Sequence, residues 1–445
     1  MKNRRVIVID VVGLRPEHLE MKESAPHLNK LVKNGRLFKL KPVFPAVTLP
    51  VQASMTTGLY PEEHGVVANG FYSREQFEVS LWEQAASLVQ GERIWDRLKK
   101  QNPEFKAAVL FWQNILYTGA EVAITPRPLH TDDGMIPWCY SKPAGLYEDI
   151  STAIGEFNLM SYWGPMAGIE SSRWIAKAAV EVMKRTKPNL MFVYLPHLDY
   201  CSQKVGPGAP EIKAELALVD KEVGRILQGI QEVDMSGEPV VMVLSEYAFS
   251  PVQADIPLNR IFRQHDLLSV RTIKGREYVD LELSPAFAMV DHQIAHVYVK
   301  PGYEAAVRKI LEKTAGVDMI MGGREKSDFM VNHPLAGDLI AVSAKDRWFS
   351  YYWWEEKARE PDFATHVDIH RKPGYDPLEL FLEPGSFSVS QDTSLIRGSH
   401  GRPPMGTSDY VPLIINGAEV EENVNKELFS MTEIPGIIEK ISYCL

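Results

Sequence analysis

Histidine and aspartate side chains are clustered in two short segments of this 445-residue sequence. They are Asp291, His292 and His296 in FAMVDHQIAHVYV, and His366, Asp368 and His370 in THVDIHRKPGYDP. An Asp-x-His pattern on a strand places both side chains on one face, which suits binding of a metal ion or a phosphate group. Because a single histidine more often has a structural role, that role stays open for each one beside metal or substrate binding.

Basic and aromatic residues near such motifs could contact a substrate. Arg371 and Lys372 follow the second segment directly, and Arg402 lies in RGSHGRPP, residues 397–404. An arginine side chain is suited to hold an anionic group, although arginines are also common on protein surfaces. The tryptophans of RWFSYYWWEE, residues 347–356, could line a pocket for a base or a lipid group, or pack an insertion against the core.

The elements that must position these residues alternate between strands and helices. Four apolar runs predict buried parallel strands. The runs are RVIVIDVV at 5–12, AAVLF at 107–111, LMFVYL at 190–195 and PVVMVL at 239–244. Apolar residues at three- and four-residue spacing predict helices over 172–186 and 211–231. The sequence therefore predicts an α/β fold with a doubly wound, mostly parallel sheet and helices on both faces.

Open sheets of this kind bind ligands outside the carboxyl ends of their strands. The residues at those ends are Asp10, Trp112, residues 196–199 and residues 245–247. Two segments look like insertions: 113–165, which is rich in Pro, Gly and aromatic residues, and 265–385, which has its own strand patterns such as AHVYV. We expect residues 1–264 and 386–445 to form the catalytic core, with residues 265–385 as an inserted α+β cap.

The segment FPAVTLPVQASMTTGLYPEEHGVVANGFY, residues 44–72, contains a threonine that could act as a nucleophile. This residue, Thr48, lies between Pro45 and Pro50. A threonine hydroxyl needs a base or a metal ion to become nucleophilic, and a second metal ion can stabilise the leaving oxygen of a phosphoryl transfer. The alternative is that Thr48 is a turn residue between two prolines.

This segment resembles the nucleophile region of the type I phosphodiesterases and nucleotide pyrophosphatases, a branch of the alkaline phosphatase superfamily. In that family a threonine after a proline-containing turn is followed by TGLYPxxHG and an asparagine, and these positions are held here by Thr48 and Asn69. The resemblance implies an alkaline phosphatase-like fold and hydrolysis of a phosphodiester, pyrophosphate or phosphate monoester. It also implies a phosphothreonine intermediate on Thr48, with Asn69 binding a phosphate oxygen.

Three further segments resemble the metal-binding motifs of the family, namely YLPHLDYCSQKVGP (194–207), VVMVLSEYAFSPV (240–252) and RGSHGRPP. The metal ligands that the resemblance implies are Asp10, Thr48, Asp199, Gln203, Glu246 and His400. The sequence departs from the family where Gln203 and Tyr247 replace histidines and Glu246 replaces an aspartate. His197 could substitute for a lost imidazole or bond to backbone, and Tyr247 could instead bind the substrate.

The cofactors implied by the resemblance are two divalent metal ions. Zinc or manganese is the first expectation, and magnesium or calcium also fits because oxygen donors have replaced imidazoles. The altered ligands leave two alternatives open. One is a non-catalytic binding or scaffold protein with the same fold, and the other is a hydrolase of phosphonates or sulfate esters.

The overall composition limits the partners. The formal net charge is -10 and no block of Lys and Arg stands out, so we expect a small phosphorylated substrate and no nucleic-acid polymer. No uninterrupted apolar stretch has the length of a transmembrane helix. The three cysteines, Cys139, Cys201 and Cys444, have neither disulfide-framework nor zinc-finger spacing, which favours a cytoplasmic location. A monomer and a homo-oligomer both stay open.

Overall fold

Strands and helices alternate along the chain in the computed structural model, which describes residues 4–233, 239–417 and 426–443. The strands are β1 (Val6–Val11), β2 (Arg36–Lys41), β3 (Gly70–Ser73), β4 (Glu78–Leu81), β5 (Ala107–Leu110), β6 (Val122–Pro126), β7 (Leu129–Thr131), β8 (Gly134–Ile136), β9 (Cys139–Lys142), β10 (Leu190–Leu195), β11 (Val240–Leu244), β12 (Ser250–Pro251), β13 (Ala254–Ile256), β14 (Ser269–Ile273), β15 (Arg276–Asp280), β16 (Ala286–Asp291), β17 (Ile294–Val299), β18 (Val317–Met321), β19 (Leu339–Ser343), β20 (Arg347–Phe349), β21 (Gly398–Ser399), β22 (Val411–Asn416) and β23 (Leu428–Ser430). The α-helices are α1 (Pro26–Lys33), α2 (Thr48–Thr57), α3 (Pro61–His64), α4 (Ile94–Gln101), α5 (Leu146–Ile154), α6 (Ile169–Thr186), α7 (His197–Val205), α8 (Ile212–Glu232), α9 (Leu258–Gln264), α10 (Glu304–Lys313), α11 (Gly323–Asp328) and α12 (Ile434–Ser442).

A nine-stranded sheet forms the centre of the fold, in the order β23-β2-β22-β11-β1-β10-β5-β6-β9. The five strands from β11 to β6 run parallel to one another. The four predicted strands are β1, β5, β10 and β11, and every residue in them is buried. This confirms the predicted α/β fold with a mostly parallel sheet.

The apolar sequence of the central strands follows from their position. A strand in the middle of a parallel sheet is covered on both faces, so its side chains are apolar without alternation. Helix α6 packs on β10 and against α8, and α12 contacts β1. The helices predicted over 172–186 and 211–231 correspond to α6 and α8, whose observed bounds differ from the prediction by three residues or fewer.

The segment 113–165 extends the central sheet, where the sequence suggested an insertion. Strand β6 pairs in parallel with β5, and β9 pairs antiparallel with β6 at the edge of the sheet. The strands are short, and the exposed hairpin of β7 and β8 lies between them. The Pro- and Gly-rich composition of this segment therefore belongs to its tight connections.

Residues 265–385 contain a second, four-stranded antiparallel sheet in the order β16-β17-β19-β18. The predicted strand AHVYV lies in β17. Helix α9 packs on β16, and α10 packs on β18. The apolar core of this region also includes Tyr72 and Leu81 from β3 and β4. These two side chains come from outside 265–385, so the limits of the cap given above stay a prediction.

The structure bears on two of the composition-based expectations. Within the described ranges, no helix is long and apolar enough to cross a membrane. Cys139 and Cys201 carry free thiols. Cys444 lies outside the described residues.

A buried ion cluster fixes the segment that follows residue 362. The Lys372 ammonium lies 2.8 Å from Asp376 and 2.6 Å from Glu379, and all three side chains are almost completely buried. Burial alone would lower the pKa of Lys372, but the two carboxylates raise it. Glu379 also accepts hydrogen bonds from the Trp163 indole and the Asp368 amide. The lysine therefore neutralises two carboxylates that could not be buried alone.

We predict that Lys372→Met destabilises the protein because it leaves both acidic groups buried without their cation. The free energy of unfolding should fall by about 3 kcal/mol or more in urea denaturation. Arg371→Met is the matched control, since the neighbouring Arg371 makes exposed ion pairs with Asp362 and Asp368. Such pairs contribute about 1 kcal/mol or less. Equal losses in the two variants would contradict the assignment.

Candidate active site

Three carboxylates meet at the carboxyl ends of neighbouring central strands. Asp10 lies in β1, Asp199 lies in the first turn of α7 after β10, and Glu246 follows β11. Because β1 lies between β10 and β11 in the sheet, these side chains converge at one edge. All three are buried. This is the edge at which open α/β sheets bind ligands.

Thr48 is the first residue of α2, a helix whose ten residues are all buried. The residue before it is extended, with φ -129° and ψ 159° at Val47. Pro50 is tolerated because it lies in the first turn, and Gly58, with φ 81°, ends the helix in the left-handed conformation. Since the first peptide N–H groups of a helix lack partners within the helix, the Thr48 hydroxyl lies at a place that favours an anion.

Hydrogen bonds connect Thr48 to Asp199 through Tyr247. The Tyr247 hydroxyl lies 3.1 Å from Thr48 Oγ1 and donates to Asp199 Oδ1 at 3.0 Å. A phenol has one hydrogen, and here it is used for the carboxylate, so Thr48 donates in its contact with Tyr247. Burial raises the pKa of Tyr247 well above its ordinary value. The phenol therefore stays neutral. The Thr48 hydrogen points to the Tyr247 oxygen, so the lone pairs of Thr48 Oγ1 point in other directions.

Asp10 and Glu246 form a buried carboxylate pair with free oxygens. Within the part of the chain that the structure describes, both oxygens of Asp10 and Oε2 of Glu246 lack a hydrogen-bond partner. Glu246 Oε1 accepts from Gln52 Nε2 at 2.6 Å. Burial, reinforced by Glu246, raises the pKa of Asp10, and burial raises that of Glu246. Two carboxylates in one buried site need a cation or a proton between them.

The oxygens of Asp199 are already occupied by neutral donors. Asp199 Oδ1 accepts from Tyr247, and Oδ2 accepts from Gln203 Nε2 at 2.7 Å. The two residues are four apart on α7, so their side chains share one face of the helix. Gln203 Oε1 in turn accepts from the Tyr375 hydroxyl at 2.8 Å. Gln203 therefore joins Asp199 to a tyrosine from the inserted region.

His400 lies between aromatic rings. Its Nδ1 donates to the carbonyl oxygen of Ala46 at 2.8 Å, which leaves Nε2 as an acceptor 3.8 Å from Asp199 Oδ1. The Tyr247 ring stacks on the imidazole at 3.5 Å with an interplanar angle of 5°, and the His292 ring follows at 3.9 Å. Burial and then His292 lower the pKa of His400 well below its ordinary value, so it is neutral.

Asn69 is held by a residue of the inserted region. Asp291 Oδ2 accepts from the Asn69 backbone N–H at 2.8 Å, and Oδ1 accepts from its side-chain amide at 3.1 Å. The amide oxygen of Asn69 accepts from Leu49 N at 3.0 Å, in the first turn of α2. His292 occupies the turn between β16 and β17 with φ 60° and bonds to Asp291 through Nδ1 at 2.7 Å. The structure thus brings Asp291 and His292 next to Asn69.

Five other residues considered from sequence lie apart from this group. They are His197, which contacts Glu215 of α8; His296, which contacts Val67 and Gly337; Asp368, which pairs with Arg371; His370, which is exposed; and Arg402, which pairs with Asp318. Helix geometry explains the case of His197, which is two residues from Asp199 on α7 and so points to another face.

Sequence reasoning missed two residues that contact the site. Gln52 bonds to Glu246 and accepts from Gln113 N through Oε1 at 2.6 Å. Its position four residues after Thr48 on a helix could have identified it. Tyr375 bonds to Gln203 and stacks on His292 at 3.8 Å. It lies in a segment without helical or strand periodicity, so no local signal was available for it.

The two groups of family ligands differ in their fit to a metal ion. Asp10 and Glu246 offer unpartnered carboxylate oxygens close to Thr48, and hard divalent cations prefer such donors. These residues fit one cation. Asp199 and Gln203 have their oxygens in hydrogen bonds, which leaves His400 Nε2 as the free donor of the second group. Among the described residues, no group of three or more His, Cys, Asp or Glu side chains could hold a metal ion, so a cation at Asp10 and Glu246 depends on the Thr48 oxygen as a further donor. A second cation does not fit this arrangement.

We predict that Asp291→Ala destabilises the protein because two amide donors of Asn69 lose their acceptor in a buried place. The free energy of unfolding should fall by about 3 kcal/mol in urea denaturation. Asp318→Ala is the control, because its ion pair with Arg402 is half-exposed at the carboxylate and should contribute about 1 kcal/mol or less. If Asp291→Ala were as stable as the control, the role of Asp291 in holding Asn69 would be wrong.

Comparison with known structures supports the fold. Murine ectonucleotide pyrophosphatase/phosphodiesterase 5 is similar with a TM-score of 0.63 and 16% sequence identity, covering 99% of this chain and 95% of that one. Phosphonoacetate hydrolase from Sinorhizobium meliloti 1021, in complex with phosphonoformate, is similar with a TM-score of 0.65 and 16% identity, covering 99% and 96%. At these identities the likeness shows a shared fold.

Comparison of sequences shows the family. An uncharacterized pyrophosphatase/phosphodiesterase of Schizosaccharomyces pombe is 24% identical over 279 residues, which cover 61% of this chain and 49% of that protein. The chain thus spans about half the length of this relative. Residues 6–376 match the family model for type I phosphodiesterase/nucleotide pyrophosphatase. The match confirms the resemblance found in the motifs, and the chain belongs to the type I phosphodiesterase/nucleotide pyrophosphatase family.

Proposed function

We propose that this chain hydrolyses a phosphodiester, pyrophosphate or phosphate monoester, with Thr48 as the nucleophile. The observation that carries the proposal is the position of the Thr48 hydroxyl. It lies at the start of α2, donates to Tyr247 and is close to the Glu246 carboxylate, which is itself next to Asp10. A turn residue without a chemical role would not need a fully buried hydrogen-bond system around its hydroxyl.

In the first half of the proposed reaction, Thr48 Oγ1 attacks phosphorus. An O–P bond forms to Thr48 while the bond to the leaving oxygen breaks, which gives a phosphothreonine and releases an alcohol or a nucleotide. The Thr48 proton passes to the Tyr247 oxygen, 3.1 Å away, while Tyr247 passes its own proton to Asp199 Oδ1. At the start of α2 the Thr48 N–H can donate to a phosphoryl oxygen, since Leu49 N is bound to Asn69 and Pro50 has no N–H. The oxygen of a water molecule then bonds to phosphorus while the bond to Thr48 Oγ1 breaks, which releases phosphate or a phosphate monoester. The proton held at Asp199 returns through Tyr247 and restores the Thr48 hydroxyl.

Asn69 positions the phosphoryl group in this proposal. Its side-chain nitrogen has two hydrogens, one of which is bound by Asp291. The other can donate to a phosphoryl oxygen. Because the amide oxygen is bound to Leu49 N, the Asn69 side chain is oriented relative to Thr48 before substrate arrives.

Asp10, Glu246 and Thr48 are the residues that would hold a divalent cation. Such a cation would lower the pKa of the threonine hydroxyl and neutralise charge on the phosphoryl oxygens. Gln52 donates a hydrogen bond to Glu246 Oε1, which leaves Oε2 without a partner among the described residues and able to bind such a cation.

A second candidate is a non-catalytic protein that binds phosphorylated ligands with the same fold. The hydrogen bonds of Asp199 with Tyr247 and Gln203 favour it, because they occupy oxygens that the family resemblance assigns to a metal ion. Turnover separates the two candidates. The assay should include aryl phosphodiester and monoester substrates, a pyrophosphate, a phosphonate and a sulfate ester, each with added Zn²⁺, Mn²⁺, Mg²⁺ or Ca²⁺.

We predict that Thr48→Ala lowers turnover of the best substrate by about 10⁴-fold or more, because it removes the attacking oxygen. The variant should lose about 1 kcal/mol of stability, since one hydrogen bond is removed. Thr48→Ser keeps the hydroxyl and should retain part of the activity. Thr186→Ala serves as the control, because that hydroxyl bonds only to the Val182 carbonyl oxygen in α6.

Steady-state kinetics with each variant checks this prediction. Full activity of Thr48→Ala would refute the nucleophile assignment. Absence of turnover by the unaltered chain with any substrate and ion would support the binding protein instead.

A further inference from the structure

Two groups of side chains at the site correspond to the two cation positions that the family resemblance implies. The first group is Asp10, Glu246 and Thr48. The second is Asp199, Gln203 and His400. They lie on either side of Tyr247, whose hydroxyl contacts both Thr48 and Asp199.

The second group is satisfied by the protein itself. Asp199 accepts from Tyr247 at 3.0 Å and from Gln203 at 2.7 Å, so each oxygen already has a donor. The orientation of the Gln203 amide is fixed, because its reverse would place the amide oxygen against the carboxylate. In the orientation present, the amide oxygen accepts from Tyr375. No oxygen of Asp199 or Gln203 is left without a partner.

Aromatic rings pack around His400, the third member of the second group. The Tyr247 and His400 rings are nearly parallel at a centroid distance of 3.5 Å, which is direct contact. The His292 ring lies 3.9 Å from this imidazole, tilted by 38°, and is itself stacked on Tyr375 at 3.8 Å. Two of the four rings, those of His292 and Tyr375, come from the inserted region. Asp199 and His400 alone offer fewer donors than the three or four protein ligands of a usual divalent site.

The first group, in contrast, has carboxylate oxygens without hydrogen-bond partners. Three oxygens of Asp10 and Glu246 have no hydrogen-bond donor among the described residues, and both side chains are fully buried. Buried carboxylates without donors need a cation or a proton between them, and a divalent cation is what the family resemblance implies at this place. The two groups therefore differ in their hydrogen-bond partners: among the described residues, every oxygen of Asp199 and Gln203 has one, whereas both oxygens of Asp10 and Oε2 of Glu246 have none.

We propose that this chain binds one divalent cation, at Asp10 and Glu246, and that the Tyr247 hydroxyl with Gln203 and Tyr375 has replaced the second cation. This inference rests on the proposed function, which names the residues that would hold the cation. Besides its part in the proposed proton transfer, Tyr247 fixes Thr48 relative to Asp199 through two hydrogen bonds.

The charge of the site gives this arrangement a consequence for the substrate class. The donors that reach Asp199 and Glu246 are the neutral side chains of Tyr247, Gln203 and Gln52. With three carboxylates and one divalent cation, the site has a net charge of about -1 by formal count, whereas a second cation would make it positive. A singly charged phosphodiester should therefore be accepted better than a doubly charged monoester.

The test is metal content of the purified full-length chain. The protein is stripped with a chelator, dialysed against Mn²⁺ or Zn²⁺, freed of excess ion by gel filtration and measured by mass spectrometry of the metal. We expect one equivalent per chain. Asp10→Asn should contain none, and the isosteric Asp199→Asn should keep one equivalent. Two equivalents or none in the unaltered chain would overturn the proposal, and so would loss of the ion from Asp199→Asn alone.

A reverse experiment tests the part played by the two replaced residues. Tyr247→His combined with Gln203→His restores two imidazoles and should raise the content from one to two equivalents. Gln76→His with Tyr303→His adds two imidazoles at exposed positions and should leave the content at one. A folded Tyr247/Gln203 double variant that still binds one equivalent would overturn the role of these side chains. If that variant does not fold, the Asp10→Asn and Asp199→Asn pair decides.

Kinetics on the same preparations separates this inference from the proposed function. One bound equivalent without turnover would leave the single-cation site correct and the hydrolase proposal wrong. Turnover with two bound equivalents would leave the hydrolase proposal correct and the single-cation site wrong. Where turnover is present, kcat/KM for an aryl phosphodiester should exceed that for the monoester, and the Tyr247/Gln203 double variant should shift the ratio toward the monoester. An unchanged ratio in a variant with two ions would contradict the charge argument.

Discussion

The cost of burying three carboxylates next to one another is the constraint on which this site depends. Asp10, Asp199 and Glu246 lie beyond adjacent parallel strands, where the sheet brings them close and the surrounding loops exclude water. An isolated buried carboxylate is strongly unfavourable. The chain compensates Asp199 with a phenol and an amide, whereas it leaves oxygens of the other two uncompensated. Asp199 thus has the hydrogen bonds that stabilise a buried carboxylate, whereas Asp10 and Glu246 keep oxygens that could bind a cation.

Two side chains from residues 265–385 support the site through hydrogen bonds. Asp291 fixes the amide of Asn69, and Tyr375 fixes the amide of Gln203. The segment that carries Tyr375 is itself held by the buried Lys372 and its two carboxylates. Changes far from the nucleophile in this region therefore act on its geometry through short, identifiable chains of contacts.

Sequence reasoning predicted the parts of the molecule that depend on local pattern. The strands and helices of the core were readable because central strands are uniformly apolar and long helices keep their periodicity. The substitutions at Gln203 and Tyr247 were visible too, from the motif. The partner of Gln203 was not, because Tyr375 is 172 residues distant and lies in an irregular segment. The two His- and Asp-containing clusters look alike in sequence. Of these two, the hairpin at Asp291 reaches the site, because it contacts Asn69, a tertiary contact that local sequence does not reveal.

The order of strands in the central sheet has a consequence for how the protein is made. Strand β22, near the end of the chain, lies between β2 and β11 and pairs with both. His400 comes from the same late part of the sequence. Until that part has left the ribosome, β2 and β11 each present an open edge, and unpaired edges favour association with other chains. Protection of these edges by chaperones during synthesis should therefore matter most in the interval before β22 is available to pair with them.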